Sequence, residues 1–277
     1  MTTGTFPRMT FGLVPVSADA ATRTHLADFC AALGDQLGAV VLPHRAPSPL
    51  ALASAFHAGR VHFAWFSPTL LATSPAISSA IPLVSSVREG VASYHAALYV
   101  PAESRIQTVD DLEGTHAAWV AESSAAGYLF PRLALERHGL DPQSLFASER
   151  FYQSYDATAR AVFEGAADVG AAFAVYEHGD PKLPLLRAGF DKAADGRAVR
   201  VIDVSGPIPA DVIVASRAVP TELRASAATA LARLCNDSTA QRFVKPLFGV
   251  DGFEPCGQGV LHSLRNLVPH AMAASHR

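Results

Sequence analysis

Cysteine is scarce in this chain. Cys30, Cys235 and Cys256 are the three present among 277 residues, far apart and odd in number. Such usage excludes a disulfide framework and the paired spacing of a structural zinc site, and it predicts free thiols in apolar surroundings. No apolar run approaches the roughly 18 residues needed to cross a bilayer, so no membrane span is expected. An excess of positive charge is missing as well. Lys and Arg number 22 against 25 Asp and Glu, a formal net charge of −3, which offers no field for nucleic acid. The motifs Gly-x-Gly-x-x-Gly, Gly-x-Ser-x-Gly and His-Glu-x-x-His and a lysine-bearing phosphate loop do not occur, so neither catalytic residues nor a cofactor or metal are expected. The opening MTTGTFPRMTFGLVPV lacks the basic region, apolar stretch and cleavage site of a signal peptide. The expectation is a cytoplasmic chain, or a periplasmic or other extracytoplasmic one if Met1 is a cloning methionine on an exported domain.

What is present is a strand and helix rhythm. Hydrophobic residues make up 49% and charged residues 17% of the chain, the composition of a compact protein with a sizeable core. TFGLVPV (10–16) reads as a buried strand. Residues 21–38 form an amphipathic helix with Leu26, Phe29, Leu33 and Leu37 on one face. AVVLPH follows as a strand, SPLALASAFHAG as a helix ending at a glycine suited to a left-handed cap, and VHFAWFSP as a third strand stopped by Ser-Pro. Alternation of this kind predicts a parallel sheet covered on both faces.

IPLVSSV and SYHAALYVP read as longer strands, after which TVDDLEGTHAAWVA opens a second unit of the same build. That unit continues through a helix over 129–138, a strand at 150–152, a helix over 156–165 and the strand DVGAAFA. Strands at 201–204 and 211–216 are expected on either side of a rigid GPIPA linker. A helix over 221–234 capped by Thr221 follows, then small helices and turns. The reading is α/β and two-lobed, each lobe a mixed, mostly parallel sheet flanked by helices. Residues 1–98 and 212–277 form lobe 1 and residues 99–211 form lobe 2, with a ligand cleft between them and hinges at ALYVP and VIVAS.

The order FGLVP, HFAWFSP, TVDDLEG, SSAAGYLFPRLALERHGLDP, SYDATARAVFEGAADVGAAF, GPIPADVIV and FGVDGFEP resembles the type II periplasmic binding proteins, in particular the phosphate, phosphite and phosphonate binding components of ABC transporters. The resemblance runs over nearly the whole chain. It implies the two-lobed fold, a small anionic ligand (a phosphonate, phosphate ester or carboxylate), a permease partner and a monomer.

Site residues follow from the same stretches. A helix start presents unpaired N–H groups and partial positive charge, so SSAAG can hold an anion. Ser123 and Ser124 offer hydroxyls, Gly127 lets the backbone approach closely and Tyr128 follows. Ser123 could equally be a plain helix cap. In the family this turn reads Ser-Ser-Thr-Ser-Gly, and here Ala125 and Ala126 replace the last two hydroxyls. Each donor lost opposite a buried anion oxygen costs about 1.5–3 kcal/mol, so a phosphonate specialist is a poor fit and a carboxylate a better one. Pro131 removes a helix bond to the carbonyl of Gly127. By resemblance, Trp65 and Ser67 at a strand end, Ser17 after the first strand, and Tyr94 before His95 face the ligand. Tyr155 stands where the family has a histidine. Phe173 narrows the pocket, and Asp211 matches a carboxylate that pairs with a ligand amine, or else is a loop cap. The same fold also admits a cytoplasmic enzyme, as in chorismate-derived steps of menaquinone synthesis, or a cytoplasmic ligand sensor.

Overall fold

The computed structural model describes residues 8–15, 19–257 and 259–262. Their contacts divide into two compact units, residues 8–92 with 210–262 and residues 93–209. The chain therefore crosses between units at 92/93 and 209/210, not at 98/99 and 211/212. The reason is pairing: the strand Ser93–Pro101 bonds along its length to neighbours of the second unit, which takes ALYVP wholly into that unit.

The first unit begins with β1 (Arg8–Leu13), α1 (Ala20–Leu37), β2 (Val40–Arg45), α2 (Pro49–His57), β3 (Phe63–Phe66), α3 (Pro68–Thr73) and β4 (Ile81–Val87). The second contains β5 (Ser93–Pro101), β6 (His116–Trp119), α4 (Phe130–Arg137), β7 (Ser148–Phe151), α5 (Tyr155–Phe163), β8 (Val169–Tyr176), β9 (Leu185–Ala188), α6 (Asp191–Ala194) and β10 (Val199–Pro209). The chain then returns to the first unit with β11 (Val212–Ala215), α7 (Thr221–Leu234), α8 (Gln241–Phe248) and β12 (Gly252–Pro255).

Each unit is built on one mixed sheet. The first has the order β12-β4-β11-β3-β1-β2, with β2, β1 and β3 parallel and the returning strands antiparallel. The second has the order β10-β5-β8-β6-β7, with β9 added to β8; β8, β6 and β7 are parallel. Helix α1 shows how local chemistry sets an element. Asp19 accepts the amide of Thr22 at 2.7 Å, Gly38 closes the helix in the left-handed region, and Leu26, Phe29, Cys30 and Leu33 bury one stripe. Phe29 packs edge-on to Phe11 at 4.8 Å and to Phe248 at 5.0 Å, which joins α1, β1 and α8 in one core.

Several elements differ from expectation. Ser67-Pro68 does not merely end a strand: Ser67 accepts the amide of Leu70 and Pro68 occupies the first turn of α3, the position where proline suits a helix. GPIPA is no linker. β10 runs on to Pro209, with a register shift between Ser205 and Ile208, and tolerates both prolines because it is an edge strand with one row of N–H groups unused by the sheet. Thr221 does not cap α7; its hydroxyl accepts from Arg224 instead. Strands β9 and β12 and helices α3 and α6 had no expected counterpart. Cys30 and Cys235 are free and buried, their thiols pushed up to about 12 and about 11 by desolvation, so both are protonated and inert.

Two histidines make the fold sensitive to acid. His62 accepts the amide of Thr10 at Nδ1, 3.1 Å away, which requires the neutral ring. His95 is 4% exposed with an edge-on ring contact to Tyr176. Burial lowers both below the ordinary 6.5, Asp180 opposing the shift at His95. Below 6.5 the unfolded chain binds protons that the folded chain refuses, so stability is full above that pH and falls as pH drops through it. Thermal unfolding followed from about pH 7.5 to about pH 5 should show that slope, and His62→Gln with His95→Gln should flatten it.

Candidate functional site

In the second unit, three candidate residues converge beyond the carboxyl ends of the parallel strands, where open α/β sheets place ligands. The loops after β6 and β7 are zipped together: Tyr152 N donates to Trp119 O at 2.9 Å and Gln153 N to Val120 O at 2.8 Å. This brings the start of α5 beside the turn that follows β6. The helix there begins earlier than expected, as a π-turn over Ala125–Leu129 that runs into α4. Ser124 caps it, its Oγ accepting the amide of Gly127 at 3.1 Å and lying 3.4 Å from the Tyr155 hydroxyl. Leu129 N bonds back to Ser124 O at 3.0 Å and Phe130 N to Ala125 O. Pro131 has no N–H for this ladder, and the Gly127 carbonyl is taken instead by Val120 N at 3.1 Å. Among the described residues the amides of Ala125 and Ala126 have no acceptor, as expected for the first turn of a helix.

Gly127 is required by close approach. A Cβ there would lie 2.5 Å from Val120 Cγ2, 2.6 Å from Val120 Cβ and 2.7 Å from Ser124 Oγ. The cap therefore belongs to Ser124. Ser123, its exposed neighbour, has no hydrogen-bond partner among the described residues. Ala125 and Ala126 are buried, at 6% and 0% exposure, so their methyl groups fill space where hydroxyls would stand. Tyr128 points into the core: 7% exposed, it packs on Trp119 and Phe151. Arg132 lies 5.1 Å from its ring centroid and is paired with Glu149, which also accepts the Trp119 indole N–H at 2.7 Å. Burial raises the pKa of the Tyr128 phenol, so it stays neutral. Tyr155 packs edge-on to Phe173 at 5.0 Å. Phe173 sits within β8 and Tyr94 on β5 opposite Ile208, both half-buried.

The other candidates belong to the first unit. Trp65, Ser67 and Asp211 line one recess of about 110 Å³ with Val14, Phe66 and Leu70, at the carboxyl ends of β1 and β3. Trp65 donates to Ser86 Oγ at 3.1 Å and rests on Phe248 at 5.3 Å. Asp211 is held by Arg88 through Nη2 at 3.0 Å, and the same guanidinium donates to Phe248 O and Gly249 O. Burial raises the Asp211 pKa while Arg88 opposes the shift. Ser17 lies outside the described residues. Among the described residues no three metal-ligating side chains are grouped, and no helix is long and apolar enough to cross a membrane.

Three residues had gone unremarked in the sequence. Arg88 holds Asp211 from 123 positions away. Gly189 leaves room for the Tyr155 ring, since a Cβ would come within 2.9 Å of it. Arg187 lies over Phe173, 5.4 Å from its centroid.

Two α/β units, each a mixed sheet flanked by helices, with hydroxyls, amides and aromatics gathered beyond the strand ends, define the type II periplasmic-binding-protein class. Residues 11–258 match the family model described as ABC transporter, phosphonate, periplasmic substrate-binding protein, and the chain belongs to that family. Among solved structures it is similar to a Xanthomonas citri protein, XAC2383, in a complex with ATP (20% identity, TM-score 0.72, covering 97% of this chain and 98% of that one). It is also similar to a binding-protein component of a phosphonate ABC transporter from Pseudomonas aeruginosa (18%, TM-score 0.67, 98% and 88%). A third is PhnD1 from Prochlorococcus marinus in complex with methylphosphonate (14%, TM-score 0.66, 94% and 96%). At these identities the likeness is one of fold.

Proposed function

We propose that this protein binds a small anion at the turn Ser123–Gly127, that the anion presents fewer acceptor oxygens than a phosphonate dianion, and that a carboxylate fits best. On this reading it acts as an extracytoplasmic monomer that hands its ligand to a permease. One observation carries the ligand class: the only turn hydroxyl facing inward, that of Ser124, is already engaged by Gly127 N and Tyr155, while the next two positions offer buried methyl groups. Donors remaining at the turn are the amides of Ala125 and Ala126, aided by the partial positive charge of the helix start. A two-oxygen anion can be satisfied there; a third buried oxygen left without a donor costs about 1–3 kcal/mol.

Titration calorimetry with acetate, succinate, methanesulfonate, methylphosphonate and inorganic phosphate tests this. A carboxylate should bind more tightly than methylphosphonate, and equal or tighter binding of methylphosphonate would overturn the assignment. Ser124→Ala removes the cap and the hydroxyl; it should lower the stability by about 0.5–2 kcal/mol and weaken the preferred anion about tenfold. Unchanged affinity in that variant would remove Ser124 from the site.

A further inference from the structure

We propose that Arg187 is the cation that selects the ligand's charge in the second unit, a role resting on the anion-binding reading of the Ser123–Gly127 turn. Arg187 lies on β9 opposite Val175 of β8, in a stretch that no sequence motif marks. Its guanidinium carbon stands 5.4 Å from the Phe173 centroid. Phe173 in turn meets the Tyr155 ring at 5.0 Å, and the Tyr155 hydroxyl lies 3.4 Å from Ser124 Oγ. Gly189, two residues on, binds the Phe173 carbonyl through its amide at 2.9 Å and leaves space for the Tyr155 ring. Arg187, Phe173, Tyr155 and Ser124 thus form one continuous row, reaching from the added strand to the helix start.

The electrostatics of Arg187 are unusual. Its Nε is sealed from solvent and has no hydrogen-bond partner, and no carboxylate among the described residues pairs with it. What sets Arg187 apart is the missing counter-charge: Arg132, whose Nε is likewise sealed and unpartnered, is paired with Glu149, Arg160 is paired with Asp156, and Arg200 donates to the carbonyls of Ala102, Ser104 and Ile106. A buried donor without a partner is costly to the fold. The ring of Phe173 compensates part of the charge, and the residue remains partly exposed, so an acidic group arriving on this face meets the terminal guanidinium nitrogens, which are not sealed as Nε is. An arginine is suited to this because its planar fork meets a carboxylate or other oxyanion with two parallel bonds. On this reading Arg187 adds from β9 a full positive charge and N–H donors, where the altered turn has lost two hydroxyls.

The test uses Arg187→Met, which keeps the stem over Phe173, and Arg187→Lys, which keeps the charge. Both are titrated with acetate, succinate, methanesulfonate, methylphosphonate and inorganic phosphate beside the native protein and Ser124→Ala. The expected result is a loss of about tenfold or more in affinity for the best-bound anion in Arg187→Met, a partial recovery in Arg187→Lys, and an anion-free melting temperature that does not fall. Affinity within about twofold of native in Arg187→Met, with loss in Ser124→Ala, would overturn the role of Arg187 and leave the anion turn standing. An equal loss in both Arg187 variants with a fall in anion-free melting temperature would assign Arg187 to the fold. If the native protein binds none of the five anions, this inference and the proposed function fall together.

Discussion

Gly127→Ala is expected to lower stability by about 1–3 kcal/mol and to abolish anion binding in the same stroke. The new methyl would need to sit 2.5 Å from Val120 Cγ2, 2.6 Å from Val120 Cβ and 2.7 Å from Ser124 Oγ. No rotamer change relieves the contact with a Cβ, so the backbone must move. Two bonds hold that backbone: Gly127 N to Ser124 Oγ and Val120 N to Gly127 O. Displacing the turn breaks one or both, and with them the placement of the Ala125 and Ala126 amides. A second variant separates crowding from other causes. Val120→Ala removes the Cγ2 contact and leaves the one with Cβ, so in combination with Gly127→Ala it should recover part of the stability. Chemical denaturation reads both variants as a change in midpoint at constant slope. If Gly127→Ala unfolds at the native midpoint, the close packing of Val120 on this helix start is not as described.

Phe248→Ala should cost about 3–5 kcal/mol, the range for an aromatic removed from a packed core. Phe248 is 3% exposed at the end of α8 and meets four other rings edge-on: Phe29 at 5.0 Å, Trp65 at 5.3 Å, Phe253 at 5.4 Å and Phe11 at 6.1 Å. It therefore ties α1, β1, β3 and β12 to one helix, and each edge-to-face pair contributes about 0.5–1.5 kcal/mol beyond buried area. The backbone of the same residue accepts from Arg88, which holds Asp211. That bond survives the substitution, so the recess around Trp65 should lose packing while its ion pair persists. Leu50→Ala is the control; Leu50 is 70% exposed and its loss should leave the midpoint within about 0.5 kcal/mol of native. A Phe248→Ala midpoint as close to native as that of the control would show that the α8 aromatic cluster does not hold the first unit together.

The candidate site was only partly legible in sequence. The SSAAG stretch identified the turn, because a strand, small residues and a helix in succession are a local signal. It could not say which serine faces inward. That choice depends on the π-turn, which moves the helix start to Ala125 and makes Ser124 the cap. Tyr155 stands in sequence where the family has a histidine, and only the zipper between the loops after β6 and β7 brings its hydroxyl to the turn. Tyr128 adjoins the turn in sequence yet packs against Trp119 and Phe151, since side chains on a helix start diverge by a fraction of a turn per residue. Asp211 had two local readings, and its partner Arg88 is too distant in sequence for either to include it.

Most of the strand and helix order and the altered hydroxyls at Ala125 and Ala126 were determined by the sequence alone, because each depends on periodicity or on neighbours within a few positions. The extension of β10 through two prolines, the capture of Asp211 by Arg88, and the row from Arg187 through Phe173 and Tyr155 to Ser124 were decided only by tertiary structure. An edge position in a sheet, an ion pair across 123 residues and a guanidinium lying over a ring on the neighbouring strand are products of strand order and register, and no local pattern of residues encodes them.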